Sequence, residues 1–180
     1  AWHYLERSAA IKRELDDLSG LAATYHHMGL LCTDTGEHDL AVDYHRQALA
    51  IRERLRGEQD VAEVLVSLAW AYYHLGCERS GAQGGPDSGQ RCARDEMRTL
   101  VRRARTLADR LGRRDLLTRL LWLEAEVALT EGQNPEAQAA YQQVLKTSRS
   151  ATNRRVGSDE VLYVNDRLMA LHRETQARLD

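Results

Sequence analysis

Gly36 and Gly76 lie 40 residues apart, and the same offset joins Ala1 to Ala41, Tyr4 to Tyr44, Ala10 to Ala50, Ile11 to Ile51 and Leu15 to Leu55. A chain that repeats small and large apolar residues at this period has few folds open to it. Each copy is one supersecondary unit that cannot bury its apolar face alone, so the copies stack and share a core.

The third copy looks out of step, because Gly76 and Gly132 are 56 residues apart. The 16 additional residues have a source in Cys77-Glu78-Arg79-Ser80-Gly81-Ala82-Gln83-Gly84-Gly85-Pro86-Asp87-Ser88-Gly89-Gln90, which is polar, glycine-rich and without apolar periodicity. Beyond it the offset of 40 returns, with Met97 matched to Ala137 and Ala104 to Val144. The pattern predicts an insertion loop over 77–94 inside an otherwise intact repeat.

Within each copy the apolar residues step by three or four. Leu21, Tyr25, Met28 and Cys32 form one series, Ala41, Tyr44, Ala48, Ile51 and Leu55 a second, and Leu65, Leu68, Tyr72 and Leu75 a third. Such steps line one face of a helix. Small residues at Gly29, Ala41, Ala48, Ala69 and Ala104 allow paired helices to approach closely. Gly36, Gly76 and Gly132 fall where a helix would end in a tight turn. Eight helices are predicted, over about 1–17, 20–35, 38–56, 60–75, 95–112, 114–131, 135–149 and 158–178. Asn134-Pro135-Glu136 and Ser158-Asp159-Glu160 are helix starts. Thr147–Gly157 reads as a polar loop, and the last helix, with Val161, Leu162, Leu168 and Leu171, reads as a C-terminal cap.

These motifs resemble the tetratricopeptide repeat, whose signature runs W-x2-L-G-x2-Y and then A-x3-F. Met28-Gly29 followed by Cys32, and Leu68-Ala69 followed by Tyr72, fit its first part, and Ala41 and Ala48 match its two alanines. His45 stands where the large aromatic residue is expected, Glu53 where the proline is, and Glu124-Ala125 where Leu-Gly is. The period of 40 resembles the long-helix variant of kinesin light chains and of bacterial signalling proteins. The resemblance implies an all-α, right-handed superhelical solenoid of antiparallel hairpins, with repeats over 1–150 and a linker and capping helix over 151–180. Ala1–Leu15 matches a second helix without its first partner, which predicts a piece of a longer chain or a repeat left open at that end.

In the resembled family the first helix of each hairpin lines a concave groove. That mapping gives His26, Leu30, Thr33 and Asp34 in the first copy. It gives Glu63, Val66, Trp70, Tyr73 and His74 in the second, and Arg119, Trp122, Glu126 and Thr130 in the third. Trp70, Tyr73 and Trp122 lie off the strict core stripe and are candidate anchors for a protein or peptide. The alternative is that both tryptophans serve as bulky packing between hairpins.

Net charge is −2 overall, but residues 91–119 carry ten arginines against four acids. Arg94, Arg98, Arg102 and Arg105 form a stripe opposite Met97, Leu100, Val101, Ala104, Leu107, Ala108 and Leu111. It is a solvated helix back or a patch for an acidic partner or nucleic acid. No aromatic residues interleave with the arginines, which argues against single-strand stacking. Three cysteines, one at the core position Cys32, suggest a reducing, cytoplasmic setting. No apolar run reaches the ~18 residues of a membrane span.

Neither a phosphate-binding loop nor H-E-x-x-H occurs, and His74, Cys77 and Cys92 make no zinc motif. The expectation is a scaffold without catalysis, cofactor or metal, which binds a protein or peptide and perhaps further domains of its own chain. The alternatives are a sensor or autoinhibitory arm of a bacterial signalling or transcription-regulating NTPase, and acidic-partner or nucleic-acid binding through the arginine helix over 94–110.

Overall fold

A computed structural model describes residues 2–81, 88–148 and 158–176. It contains eight helices: α1 (Trp2–Glu14), α2 (Leu18–Thr35), α3 (His38–Arg54), α4 (Glu58–Gly81), α5 (Ser88–Arg110), α6 (Arg114–Thr130), α7 (Asn134–Ser148) and α8 (Ser158–Gln176). No strand occurs among the described residues. Neighbouring helices pack as hairpins, α1 on α2, α2 on α3, α3 on α4, α6 on α7 and α7 on α8. The chain divides into two compact units, 1–107 and 108–180.

One turn design recurs. Five residues occupy the left-handed region, Asp16, Gly36, Arg56, Gly112 and Gly132. Steps of 20 separate them, apart from the interval of 56 that contains two half-repeats and the 16-residue insertion. At each, the residue after the left-handed one donates its N–H to the carbonyl five positions back: Asp17 to Lys12, Glu37 to Cys32, Gly57 to Arg52, Arg113 to Ala108 and Gln133 to Ala128. This closing bond satisfies a carbonyl that the helix end leaves open. Gly36 and Gly132 thus end their helices as the spacing predicts. Asp16 and Arg56 fill the same position with side chains present, at a cost of about 1 kcal/mol each.

Gly76 does not end a helix. It is buried inside α4, which runs on to Gly81, and α5 already begins at Ser88. Most of the loop expected over 77–94 is therefore helical, and only 82–87 lies outside the described residues. The physical reason is that one interior glycine costs a helix only about 1 kcal/mol. Cys77-Glu78-Arg79-Ser80 offers no proline to stop propagation. The expected loop over 147–157 lies outside the described residues beyond Ser148.

The small residues do what their spacing requires. Ala41, Ala48, Ala69 and Ala104 are fully buried. Gly29 is the tightest approach, since a Cβ there would stand 2.6 Å from the His45 ring. His45 is itself completely buried and fills the slot expected of an aromatic ring. In the second unit the equivalent pair is Ala125 and Tyr141, both completely buried. Around it Ala128, Ala137, Val144, Val164 and Leu171 form one core, against which Leu168 packs. The C-terminal helix contributes Val164 to this core in addition to the expected Leu168 and Leu171. The side chains of Val161 and Leu162 lie outside the described residues.

Candidate functional site

In the first unit α4 carries a run of half-buried rings. Trp70 meets Tyr73 edge-on with centroids 5.7 Å apart and stacks on His74 at 5.7 Å, and Tyr73 meets His74 at 5.3 Å. The series continues onto α3, where His38 stacks on His74 at 4.9 Å with an interplanar angle of 16°. Positions 70, 73 and 74 belong together because steps of three and four share a helix face. The turn at Gly36 brings the start of α3, and with it His38, to that cluster. His26 on α2 is half-buried and lies 5.2 Å from the His45 ring, while His27 is exposed. Thr33 is half-buried and donates its hydroxyl to the Gly29 carbonyl. Asp34 is exposed, and Glu63 is half-buried.

Two expected groove residues are not available to a ligand. Val66 is completely buried, because α4 is covered by its neighbours on that side as well. Glu126 is 3% exposed and is the hub of a network inside the second unit. Its Oε1 accepts from Trp122 Nε1 at 3.1 Å and from the Tyr141 hydroxyl at 2.8 Å, and its Oε2 lies 3.6 Å from the Arg167 guanidinium. Arg167 Nε donates to the Tyr163 hydroxyl at 2.9 Å, and the Tyr163 ring lies 5.5 Å from Trp122. A buried carboxylate needs such partners to offset its lost hydration. Burial and the Glu126 charge together push the Tyr141 hydroxyl pKa well above its ordinary value. Trp122, although half-buried, is thereby tied inward. Arg119 is half-buried on the same helix.

Residues 20–76 match the tetratricopeptide repeat family. These residues form tetratricopeptide repeats. No curated protein matches the chain. Tetratricopeptide repeats are generally non-catalytic and mediate protein–protein interaction. In this repeat the half-exposed rings of α4 are the most concentrated aromatic surface among the described residues. His38 and His45 are members of the ring series that sequence reasoning did not select for it. The signal for His45 was its place four residues after Ala41, where the repeat calls for a large ring. The same spacing from Ala137 marks Tyr141.

The arginine stripe is where its periodicity put it. Arg94, Arg98 and Arg102 are exposed and Arg105 is half-buried, while Ala93, Met97, Leu100, Val101, Ala104 and Ala108 face the core. Arg98 pairs loosely with Asp95 at 4.0 Å. Among the described residues no helix is long and apolar enough to cross a membrane, and no group of three or more His, Cys, Asp or Glu side chains could hold a metal. Cys32 is a buried free thiol, and burial followed by the Glu37 charge pushes its pKa up.

Proposed function

We propose that the first unit is a peptide- or domain-binding scaffold whose contact face is carried by α2 and α4, with no chemistry of its own. The observation behind this reading is the half-exposed ring series Trp70, Tyr73 and His74, supported by His38. Rings held by one another lose little side-chain entropy when a partner docks, so binding is pre-organised. Large amphipathic rings are also favoured anchors of interfaces. His26, Thr33, Asp34 and Glu63 supply polar contacts at the edges, and Arg119 and Trp122 are second-unit candidates. In this reading the repeats are the long-helix variant, part of a right-handed superhelix in a cytoplasmic, bacterial signalling context, where the thiol of Cys32 stays reduced.

A pull-down comparing wild type with a Trp70→Ala/Tyr73→Ala double variant tests the assignment. Loss of captured partners from a folded double variant supports it. Retention of every partner by that variant overturns it.

A second reading has the exposed Arg94, Arg98 and Arg102 stripe behind it, as a patch for an acidic partner. Binding of heparin that does not weaken between low and high salt would eliminate it.

A further inference from the structure

We propose that the ring-bearing face of α2 and α4 recognises a peptide segment whose anchoring side chains are cationic, arginine or lysine. This rests on the scaffold reading above and adds the chemistry of the partner. Three observations converge on it.

The first is how charge is sorted among the helices. From Leu18 to Thr35 and from Glu58 to Gly76, the chain carries Asp34, Glu58, Asp60 and Glu63 and not one lysine or arginine. The basic residues of the neighbouring helices are on α1 (Arg7, Lys12, Arg13) and α3 (Arg46, Arg52, Arg54). Asp60 is engaged by Arg52. Asp34 and Glu58 are exposed and Glu63 is half-buried, so this surface holds carboxylates without a competing cation of its own helices. Glu63 precedes Trp70 by seven residues, two helical turns along the same face.

The second is the ring series itself. Trp70 and Tyr73 present electron-rich faces, and a guanidinium or ammonium group is drawn to such a face within about 6 Å of the ring centre. An anionic anchor would meet the same rings and carboxylates with repulsion.

The third is that this unit already uses the chemistry internally. The Arg46 guanidinium lies over the Tyr72 ring at 5.5 Å and also donates to its hydroxyl, and Arg13 donates to the Tyr25 hydroxyl at 2.7 Å. Tyrosines of α2 and α4 thus take arginines from α1 and α3, and Tyr73, next to Tyr72, extends that pattern to the outer surface.

The test is selection of a randomised 12-residue displayed peptide library on the whole chain, counter-selected on the Trp70→Ala/Tyr73→Ala variant. Enriched sequences rich in Arg or Lys and poor in Asp and Glu are expected. A synthetic peptide from that pool should bind roughly tenfold more weakly to Trp70→Ala, the size of one cation–ring contact. Because Trp70→Ala could disturb packing, Glu63→Lys provides a surface variant with the same expected direction, and far-UV circular dichroism reports that both are folded. Enrichment of acidic or uncharged sequences that still depend on Trp70 would overturn the cationic class while leaving the scaffold reading standing. Enrichment independent of Trp70 and Tyr73 would overturn both. A second copy of the chain, docking its own arginine stripe here, would appear as concentration-dependent mass in sedimentation, abolished by Arg98→Glu/Arg102→Glu, and would overturn the separate peptide as the occupant.

Discussion

Helices α4 and α6 are the same helix of the repeat, 56 residues apart, and they place their aromatic side chains in opposite ways. Position 70 is Trp and its equivalent, position 126, is Glu. Position 66 is Val and its equivalent, position 122, is Trp. In α4 the valine is buried and the tryptophan stands half-exposed among other rings. In α6 the glutamate is buried, and the tryptophan turns to donate to it. One exchange of a carboxylate for a ring thus separates a surface that can receive a partner from one that consumes its polar groups internally. Repeat position alone does not determine which residues are free to bind.

The comparison breaks most visibly at its internal end. Tyr141→Ala should destabilise the second unit by about 3–5 kcal/mol, since it empties a fully buried ring site and strips Glu126 of a donor. Denaturant unfolding reads this, and a loss below about 1 kcal/mol would mean the network is not what holds α6, α7 and α8 together.

The tight approach in the first unit predicts the next largest effect. Gly29→Ala brings a methyl to 2.6 Å from His45 and should cost about 1–3 kcal/mol despite alanine's better helix propensity. Adding His45→Ala should recover part of the Gly29→Ala loss, which a double-mutant cycle detects as non-additivity.

A smaller, pH-dependent effect belongs to Asp115. Its carboxylate accepts from Arg113 Nε at 2.9 Å and from a second guanidinium nitrogen at 2.7 Å. Hydrogen bonding to Arg113 outweighs burial and holds its pKa below the ordinary carboxylate value. The native state therefore binds this proton less readily than the unfolded chain. The stabilisation is complete above the unfolded pKa, near ~4, and is lost as pH falls through the lower native one. Asp115→Asn should cost about 1 kcal/mol at pH 7, with the gap to wild type closing below about pH 4. A gap that stayed constant down to pH 2 would contradict this.

The smallest effect sharpens the contrast in turns. Arg56 adopts the left-handed conformation for which the second unit uses Gly112 and Gly132. Arg56→Gly should raise stability by about 0.5–1 kcal/mol, visible as a higher midpoint of thermal unfolding.

The repeat made the helices legible in advance, because steps of three and four and the turn glycines are local signals. Gly36 and Gly132 were readable as helix ends, and the arginine stripe of α5 as an outer face. Gly76 was misleading, since a glycine inside a helix and one beyond its end look alike until the neighbouring turn is seen. Glu126 was misleading for a different reason. A carboxylate one turn from a tryptophan reads as surface, and only the approach of Tyr141 from α7 and Arg167 from α8 accounts for its burial. Val66 failed because α4 is covered on more sides than a two-faced helix would be. What survived of the candidate site, Trp70, Tyr73 and His74, survived because all three sit on one helix.

The most direct measurement is a paired one on Trp70→Ala and Trp122→Ala, reading unfolding stability and capture of a library-selected peptide on the same samples. The account predicts that Trp70→Ala loses peptide binding roughly tenfold while staying within about 1–2 kcal/mol of wild type, and that Trp122→Ala keeps peptide binding but loses more stability. Loss of the peptide from a stably folded Trp122→Ala, with Trp70→Ala still binding, would contradict it.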